Sequence, residues 1–319
     1  HHPAATATLD RAARRCALPF AEPWWIASYS ALAHNEDGAA PRHAPETANQ
    51  ATLAENVAAA NTEAPPADMH GIHAFHRGAS AGTFLHDLLE SCADEGFARA
   101  AAPSASLRDT IARRCQARGW QAWIKPLTQW LPALLHTPLS LPDGGAMPLA
   151  SLADPRRYRA ELEFWFEANR VDAQALDRLV STSTLDGAAR PALPPNRVNG
   201  MLKGFIDLVF EHEGRWYVAD YKSNWLGRDA GAYTAEAMRD SVLQSRYDLQ
   251  YAIYTLALHR QLKARLPGYD YERDMGGVLY LYLRGVDDAG HGVHRERLPF
   301  ALVDALDRLF ATGGIAHVA

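Results

Sequence analysis

An α/β layer built on a mixed β-sheet is the fold class that the sequence predicts. Three observations carry it. Helix-period sequence opens the body of the chain near residue 80. Two strand-like runs joined by Glu213-Gly214 occupy the middle. A helical run, an apolar strand run and a closing helix follow in that order. Helix, strands, helix, strand, helix is an alternation that packs helices against a sheet with both parallel and antiparallel neighbours.

Taken in order, residues 1–33 contain "WWIASYSALAH", an apolar, aromatic patch that wants a partner surface. Residues 34–69 are rich in Ala, Pro, Asn and Glu, with few large apolar side chains and no sustained period, and read as a flexible linker. The folded body runs from about residue 70 to 311, and the tail 312–319, "TGGIAHVA", reads as frayed. "SAGTFLHDLLESCADEGFARA" is a helix with Ser80 or Thr83 as cap and one apolar stripe of Phe84, Leu85, Leu88, Leu89 and Cys92. Helical sequence continues through "SLRDTIARRCQARGWQAWIKPLTQWLPALLH", with breaks expected at Pro126 and Pro132. "RYRAELEFWFEA" (157–168) alternates as a strand does. Tyr158, Leu162, Phe164 and Phe166 share one parity, and Glu161 and Glu163 share the other. Residues 172–199 read as loop and short helix ending in a Pro-rich stretch. Strands follow at 201–211 and 215–223, then a helix over about 241–264, a buried strand "GGVLYLYLRGV" (276–286) and the closing helix "FALVDALDRLFAT".

Composition narrows the function classes. The 319 residues are 48% hydrophobic and 22% charged, enough for one large domain or two small ones. No apolar run approaches the roughly 20 residues needed to span a membrane. The net charge of −5 is not the basic balance of a passive nucleic-acid coat, although a nucleic-acid enzyme tolerates it if its cations are local. Cys16, Cys92 and Cys115 are scattered, without Cys-x-x-Cys spacing. A zinc site, an iron–sulfur cluster and a disulfide framework are therefore not expected, and the usage fits a reducing cytoplasm. No P-loop occurs, so no ATP-driven motor is expected in this chain, and no Gly-x-Ser-x-Gly element is present. The chain opens His1-His2-Pro3, as a tag remnant or a piece of a longer protein would.

The stretch "GFIDLVFEHEGRWYVADYKSNW" (204–225) carries the chemistry. If Glu213-Gly214 is a two-residue hairpin turn, His212 faces Arg215, and counting back sets Asp207 opposite Asp220. Directly opposed Cβ atoms lie about 4.5–5.5 Å apart, where two like charges destabilise a sheet. Lys222 shares the face of Asp220 and offsets part of that repulsion. A divalent cation offsets more, and carboxylate oxygens suit Mg²⁺ or Mn²⁺. A solvated hairpin with Asp and Lys on its wet side satisfies the same spacing. The dense apolar flanks favour central strands instead. Two acids that hold a cation beside a phosphate, with a lysine that orients water or meets developing charge, form a hydrolytic set.

This hairpin resembles the active-site hairpin of the RecB-type nucleases within the PD-(D/E)xK superfamily. Three further stretches share the likeness: "GTFLHDLLE" (82–90) with the family's histidine helix, "RYDLQYAIYTLALHR" (246–260) with its Gln-x-x-x-Tyr helix, and "GGVLYLYLRGVD" (276–287) with the strand after it. "WWIASYSAL" looks like the sequence that ends the helicase part of such a subunit. The resemblance covers roughly residues 70–311. It implies a restriction-endonuclease-like α/β core, a central mixed β-sheet flanked by helices, with an extra N-terminal helical region.

The resemblance also implies roles. Asp207 and Asp220 become metal ligands and Lys222 the catalytic lysine. His86 becomes a further ligand, with the Tyr221 carbonyl as a backbone one. Glu161 and Glu163 both qualify as the acid that precedes the hairpin. Gln250 and Tyr254, one turn apart, would flank the DNA strand together with Tyr247. Read without the resemblance, His86 lies off the apolar stripe, as an exposed helical histidine would. Gln250 and Tyr254 would be boundary residues, and Glu161 and Glu163 the wet side of a strand. Trp24, Trp25, Trp216 and Trp225 read as packing or interface residues rather than base-stacking ones. Arg113, Arg114 and Arg118 form a basic helical patch that reads as a solvated face or a phosphate contact.

The implied activity is Mg²⁺-dependent cleavage of single-stranded or unwound double-stranded DNA, with Mn²⁺ as a substitute and Ca²⁺ as a non-catalytic occupant. The implied setting is bacterial cytoplasm, recombinational repair of double-strand breaks, and RecC-like and RecD-like partner subunits. Two rivals remain at the level of sequence. One is a catalytically inactive module that binds DNA or subunits. The other is a CRISPR-associated nuclease of the same superfamily, many of which carry an iron–sulfur cluster for which this chain lacks the cysteines.

Overall fold

The computed structural model of the protein describes residues 24–28, 71–102 and 104–313. In chain order the elements are β1 (Trp25–Ser28), α1 (Ala79–Glu95), α2 (Phe97–Ala100), α3 (Ala105–Ala117), α4 (Ile124–His136), β2 (Leu139–Ser140), β3 (Ala146–Met147), β4 (Tyr158–Asp172), α5 (Ala173–Ser183), β5 (Arg197–His212), β6 (Arg215–Lys222), α6 (Ala235–Ser245), α7 (Tyr247–Arg265), α8 (Tyr271–Asp274), β7 (Met275–Tyr282), β8 (Val293–Glu296) and α9 (Phe300–Thr312). The linker expected over 34–69 lies outside the described residues, as do 314–319 of the tail and all of the N-terminal region except 24–28. Within that region, Trp25–Ser28 pairs in parallel with β5.

Among the described residues the sheet has six strands, and it is mixed, as expected. β4 runs antiparallel along one edge of β5 from Tyr158↔Phe210 to Asp172↔Arg197. The other edge of β5 is shared. β1 takes residues 200–203 and β6 takes 208–212. Positions 204–207 on that edge are left between the two partners. β6 then continues in parallel with β7, and β8 closes the sheet antiparallel to β7.

Two apolar layers cover the two faces. α1, α3 and α4 pack on Leu208, Phe210, Tyr217, Ala219, Tyr221, Leu279 and Leu281. α5, α7 and α9 pack on Phe164, Phe166, Leu202, Ile206, Val218, Val278 and Tyr280. Even-numbered residues of β5 therefore face one layer up to Ile206 and the other from Leu208 onward. β4 changes sides at the matching place, since Tyr158 belongs to the α1 layer and Phe164 and Phe166 to the α7 layer. The expected single parity for Tyr158, Leu162, Phe164 and Phe166 is corrected accordingly. The cause is local. Glu161 sits at φ 47, the left-handed region, and rotates the strand about its axis. Gly204 belongs to the same device, because a Cβ there would stand 2.5 Å from Phe164 Cζ.

Several helix boundaries differ from the sequence expectation. α1 starts after Gly78 with no side-chain cap, so neither Ser80 nor Thr83 caps it. α4 runs through Pro126 and Pro132. Pro126 falls in the first turn, where the missing N–H has no helical acceptor. Pro132 gives up one internal hydrogen bond, which burial of Leu127, Leu131, Leu134 and Leu135 offsets. The helix expected over 241–264 is two helices that meet at Arg246, whose φ is 56. The strand expected to reach residue 286 stops at Tyr282. No helix among the described residues is long and apolar enough to cross a membrane.

Arg246 breaks the helix in order to bury its charge. Its guanidinium meets Asp248 at 3.1 Å and Asp177 at 2.7 Å and donates to the Pro191 carbonyl at 2.6 Å. Arg190 reaches the same Asp248 at 2.8 Å. One fully buried carboxylate thus holds two guanidinium groups and ties α5, the 190–193 segment and the start of α7 together. Removing that carboxylate takes the anion from buried Arg190 and leaves Arg246 with Asp177. Asp248→Ala should lower unfolding free energy by about 3–5 kcal/mol, read as a shift in the urea midpoint. A change under about 1 kcal/mol would show that the network is not structural.

Candidate active site

The hairpin forms as its turn chemistry dictates. Glu213 and Gly214 both adopt positive φ, 50 and 82, and the Gly214 N–H donates to Glu211 Oε1 at 2.7 Å. His212 faces Arg215, and the ladder steps back to Leu208↔Ala219. The next rung is Asp207 and Asp220, and it is not made. The strands part there because Asp207 Oδ2 accepts the Tyr221 N–H at 2.7 Å. A side-chain carboxylate has replaced a backbone carbonyl as acceptor, so β6 peels away from β5 without leaving that N–H unpaired. The acids meet in the resulting fork.

Asp207 stands on the α1 side of the fork, where His86 Nδ1 lies 3.4 Å from its Oδ2. The two side chains are 15% and 11% exposed, so this is the open side of the site. His86 is thus neither fully exposed nor idle. Asp220 and Lys222 form the closed side, at 4% and 1% exposure, with Nζ 2.8 Å from Asp220 Oδ2. Burial raises the Asp220 carboxyl above the usual range, Lys222 pulls it back, and Asp207 pushes it up again. Glu161 is pushed up to about 8, first by burial and then by Asp207, with Glu90, Asp220 and Asp87 adding to it. Three carboxylates therefore share one field. Glu163 does not join them. It is half exposed and pairs with Lys203 Nζ at 3.3 Å, on the rung of Phe205. The left-handed backbone at Glu161 marks the difference between the two acids.

Lys222 is pinned from three directions. Its Nζ donates to Gln250 Oε1 at 3.0 Å and lies 4.0 Å from the Tyr247 ring centroid and 5.0 Å from that of Tyr280. Tyr280 donates to the same Gln250 oxygen at 2.8 Å, and Gln250 Nε2 donates to Tyr254 at 3.1 Å. Gln250, Tyr254 and Tyr247 are buried. The strip expected to contact sugar or base is therefore interior, a correction with a clear cause. α7 is buried almost all round, because β7 packs beneath it and the α9 layer beside it. Sequence reasoning missed Tyr280 as part of this set. Its place depends on the parallel register Asp220↔Tyr280, which no local spacing encodes. The Tyr221 N–H touches the site as well, beside the carbonyl expected there as a backbone ligand.

The donor set suits a hard divalent cation by type: three carboxylates, one imidazole and no thiolate. Asp220 Oδ2 is buried, with the Lys222 ammonium 2.8 Å away. Such an oxygen, among acids that repel one another, is a ligand in character. Among the described residues no three His, Cys, Asp or Glu side chains are drawn close enough to hold a metal as they stand. The residues fit by chemistry and place, and fall short in closeness.

Comparison with known proteins shows the family of the chain. The chain is 39% identical over 292 residues to the RecBCD enzyme subunit RecB of Escherichia coli strain K12, covering 90% of this chain and 23% of that protein. It is 37% identical to the RecB subunit of Haemophilus influenzae over 73% of this chain and 18% of that one. The Mycobacterium tuberculosis counterpart is 30% identical over 91% of this chain and 29% of its own length. The chain thus spans well under a third of the curated relatives it matches. Residues 60–313 match the PD-(D/E)XK nuclease superfamily as a whole, acid hairpin, histidine helix and α7 included, and the chain belongs to that superfamily.

Proposed function

We propose that the chain is a divalent-metal-dependent nuclease domain that hydrolyses phosphodiester bonds of single-stranded DNA. The observation that carries this reading is the unmade rung of Asp207 and Asp220, with Lys222 fixed beside it. In a purely structural hairpin two facing acids would cost stability and bring nothing in return.

Asp207, Asp220, His86 and Glu161 are the residues that would hold the cation, Mg²⁺ first and Mn²⁺ as a substitute. When bound, it polarises a phosphoryl oxygen and lowers the pKa of water at the site. The chain's own residues do the rest. Asp207 and His86, on the open side, meet the strand as it arrives. Asp220 and Lys222, on the closed side, form a fixed wall. The Lys222 ammonium would meet the negative charge that grows on the phosphorus oxygens, and Asp220 at 2.8 Å and Gln250 at 3.0 Å fix its position. Gln250 itself is oriented by Tyr280 and Tyr254. These three act through Lys222 and are positioning residues.

Similarity to RecB subunits supports a setting in which the domain works with RecC-like and RecD-like partners on strands unwound by a helicase, during recombinational repair of double-strand breaks in the bacterial cytoplasm. The chain's own residues favour an active enzyme over an inactive binding module, because the two acids and the lysine are all present and converge.

Two measurements test this reading. Mn²⁺ should raise the melting temperature of the protein by mass action and support cleavage of a single-stranded oligonucleotide. Asp220→Ala should abolish both effects, and undiminished metal-dependent cutting by that variant sinks the assignment. The positioning set has its own signature. Tyr280→Phe keeps the ring but removes the donor to Gln250. It should lower kcat about tenfold, the order of one hydrogen bond in a charged network, with KM for the strand unchanged. A rise in KM at constant kcat would instead place Tyr280 in substrate binding.

A further inference from the structure

We propose that the groove between the second half of α1 and α3 binds the phosphodiester backbone of a nucleic-acid strand next to the acid fork. This rests on the nuclease reading above and extends it to a surface outside the site. The groove is open and measures about 790 Å³. Arg99, Arg113, Arg114 and Arg118 line it, against Asp94 and Glu95, and with Asp87, which pairs with Arg114 and Arg118, four cations meet three anions for a net +1. That is a local excess on a chain whose net charge is −5. Every cation is an arginine, the side chain whose planar fork matches a phosphate in two hydrogen bonds.

Two of the four arginines are held in place before any ligand arrives. Arg114 donates to Ser91 Oγ at 2.7 Å and lies 3.1 Å from Asp87 Oδ2. Arg118 lies 3.6 Å from the same carboxylate and 5.3 Å from the Phe84 ring centroid. Each guanidinium has five N–H groups, and these contacts use only part of them. Side chains already ordered lose less entropy when a phosphate binds. Arg99 and Arg113 are exposed at the rim.

Position ties the groove to the acids. Asp87, which holds Arg114 and Arg118, directly follows His86, which touches Asp207. Ser91 is five residues further along α1, about 7.5 Å of helical rise. The open side of the fork is the α1 side. The groove opens about a third of a turn around α1 from His86, so a strand that reaches the acids crosses this helix to enter it. Arginine contacts there would grip the backbone beyond the scissile bond without reading bases.

The test uses the full chain in EDTA, so that binding is measured without cleavage. Arg99→Gln and Arg113→Gln are combined, because both side chains lie at the rim, and thermal unfolding checks that the fold is intact. Binding of a fluorescein-labelled single-stranded oligonucleotide is followed across a series of KCl concentrations. Loss of two phosphate contacts should make the slope of log K against log[KCl] shallower by about 1.4, with affinity lower several-fold at low salt. An unchanged slope in the double variant overturns the proposal. So does absence of salt-dependent binding by the wild type, or arginine-dependent capture of polyglutamate with none of the oligonucleotide. Asp220→Ala separates the two readings. If it still cleaves, the nuclease reading fails whatever the groove does; if it binds DNA as the wild type does but cannot cut, only the groove is in question.

Discussion

The rest of the site depends on one hydrogen bond, from the Tyr221 N–H to Asp207 Oδ2. An antiparallel pair with an intact ladder would set Asp207 and Asp220 side by side as a destabilising pair of like charges. The carboxylate instead takes the N–H that the ladder would have used. β6 can then leave β5 for β7 without an orphaned donor in the core. The charge problem of the sheet thereby becomes a cleft. β1 contributes from the other end, where Trp25–Ser28 pairs with residues 200–203 of β5.

The left-handed residue Glu161 is the second half of the same construction. Across β5 it lies opposite the fork, in line with the Ala160↔Leu208 and Leu162↔Ile206 pairs. Its φ of 47 is a costly conformation for a non-glycine residue inside a strand. The return is a change of face in both strands at one point. Apolar residues on either side can then enter different layers while the acids remain between them. Burial and repulsion raise Glu161 and Asp220 together, and Lys222 offsets only part of that strain. The strain persists because two apolar layers and the buried α7 network over-determine the backbone around it.

Much of this was legible in the sequence, and the unread parts share a cause. The register followed from Glu213-Gly214 alone, since a two-residue turn fixes every later rung. The α1 stripe and the buried strand at β7 followed from period. Arg246 carries no breaker signal. It ends a helix only because Asp177, Asp248 and the Pro191 carbonyl meet it from distant segments. Gln250 and Tyr254 looked like a surface strip because α7 has an obvious apolar face. Their own face is covered as well, by a sheet whose parallel pairing brings Tyr280 beneath Gln250. Glu161 and Glu163 could not be separated by spacing, since the backbone twist that separates them is a property of two strands together. Local chemistry encoded the elements and the register. Contacts between elements decided which polar groups became buried.

That burial bears on how such a site can work. Lys222 is nearly inaccessible, yet it stands beside the atoms that would stabilise charge during hydrolysis. An exposed lysine would be solvated and mobile, and water would screen the charge it offers. In the interior its ammonium keeps one position because Asp220, Gln250 and two tyrosine rings share it. If Asp220 alone held it, the pair would neutralise itself and leave little field for a substrate. The Gln250 oxygen supplies a second acceptor without adding charge, and Tyr280 fixes the direction of that oxygen. The neutral amide therefore orders the lysine without adding negative charge to the fork, as an additional carboxylate in its place would.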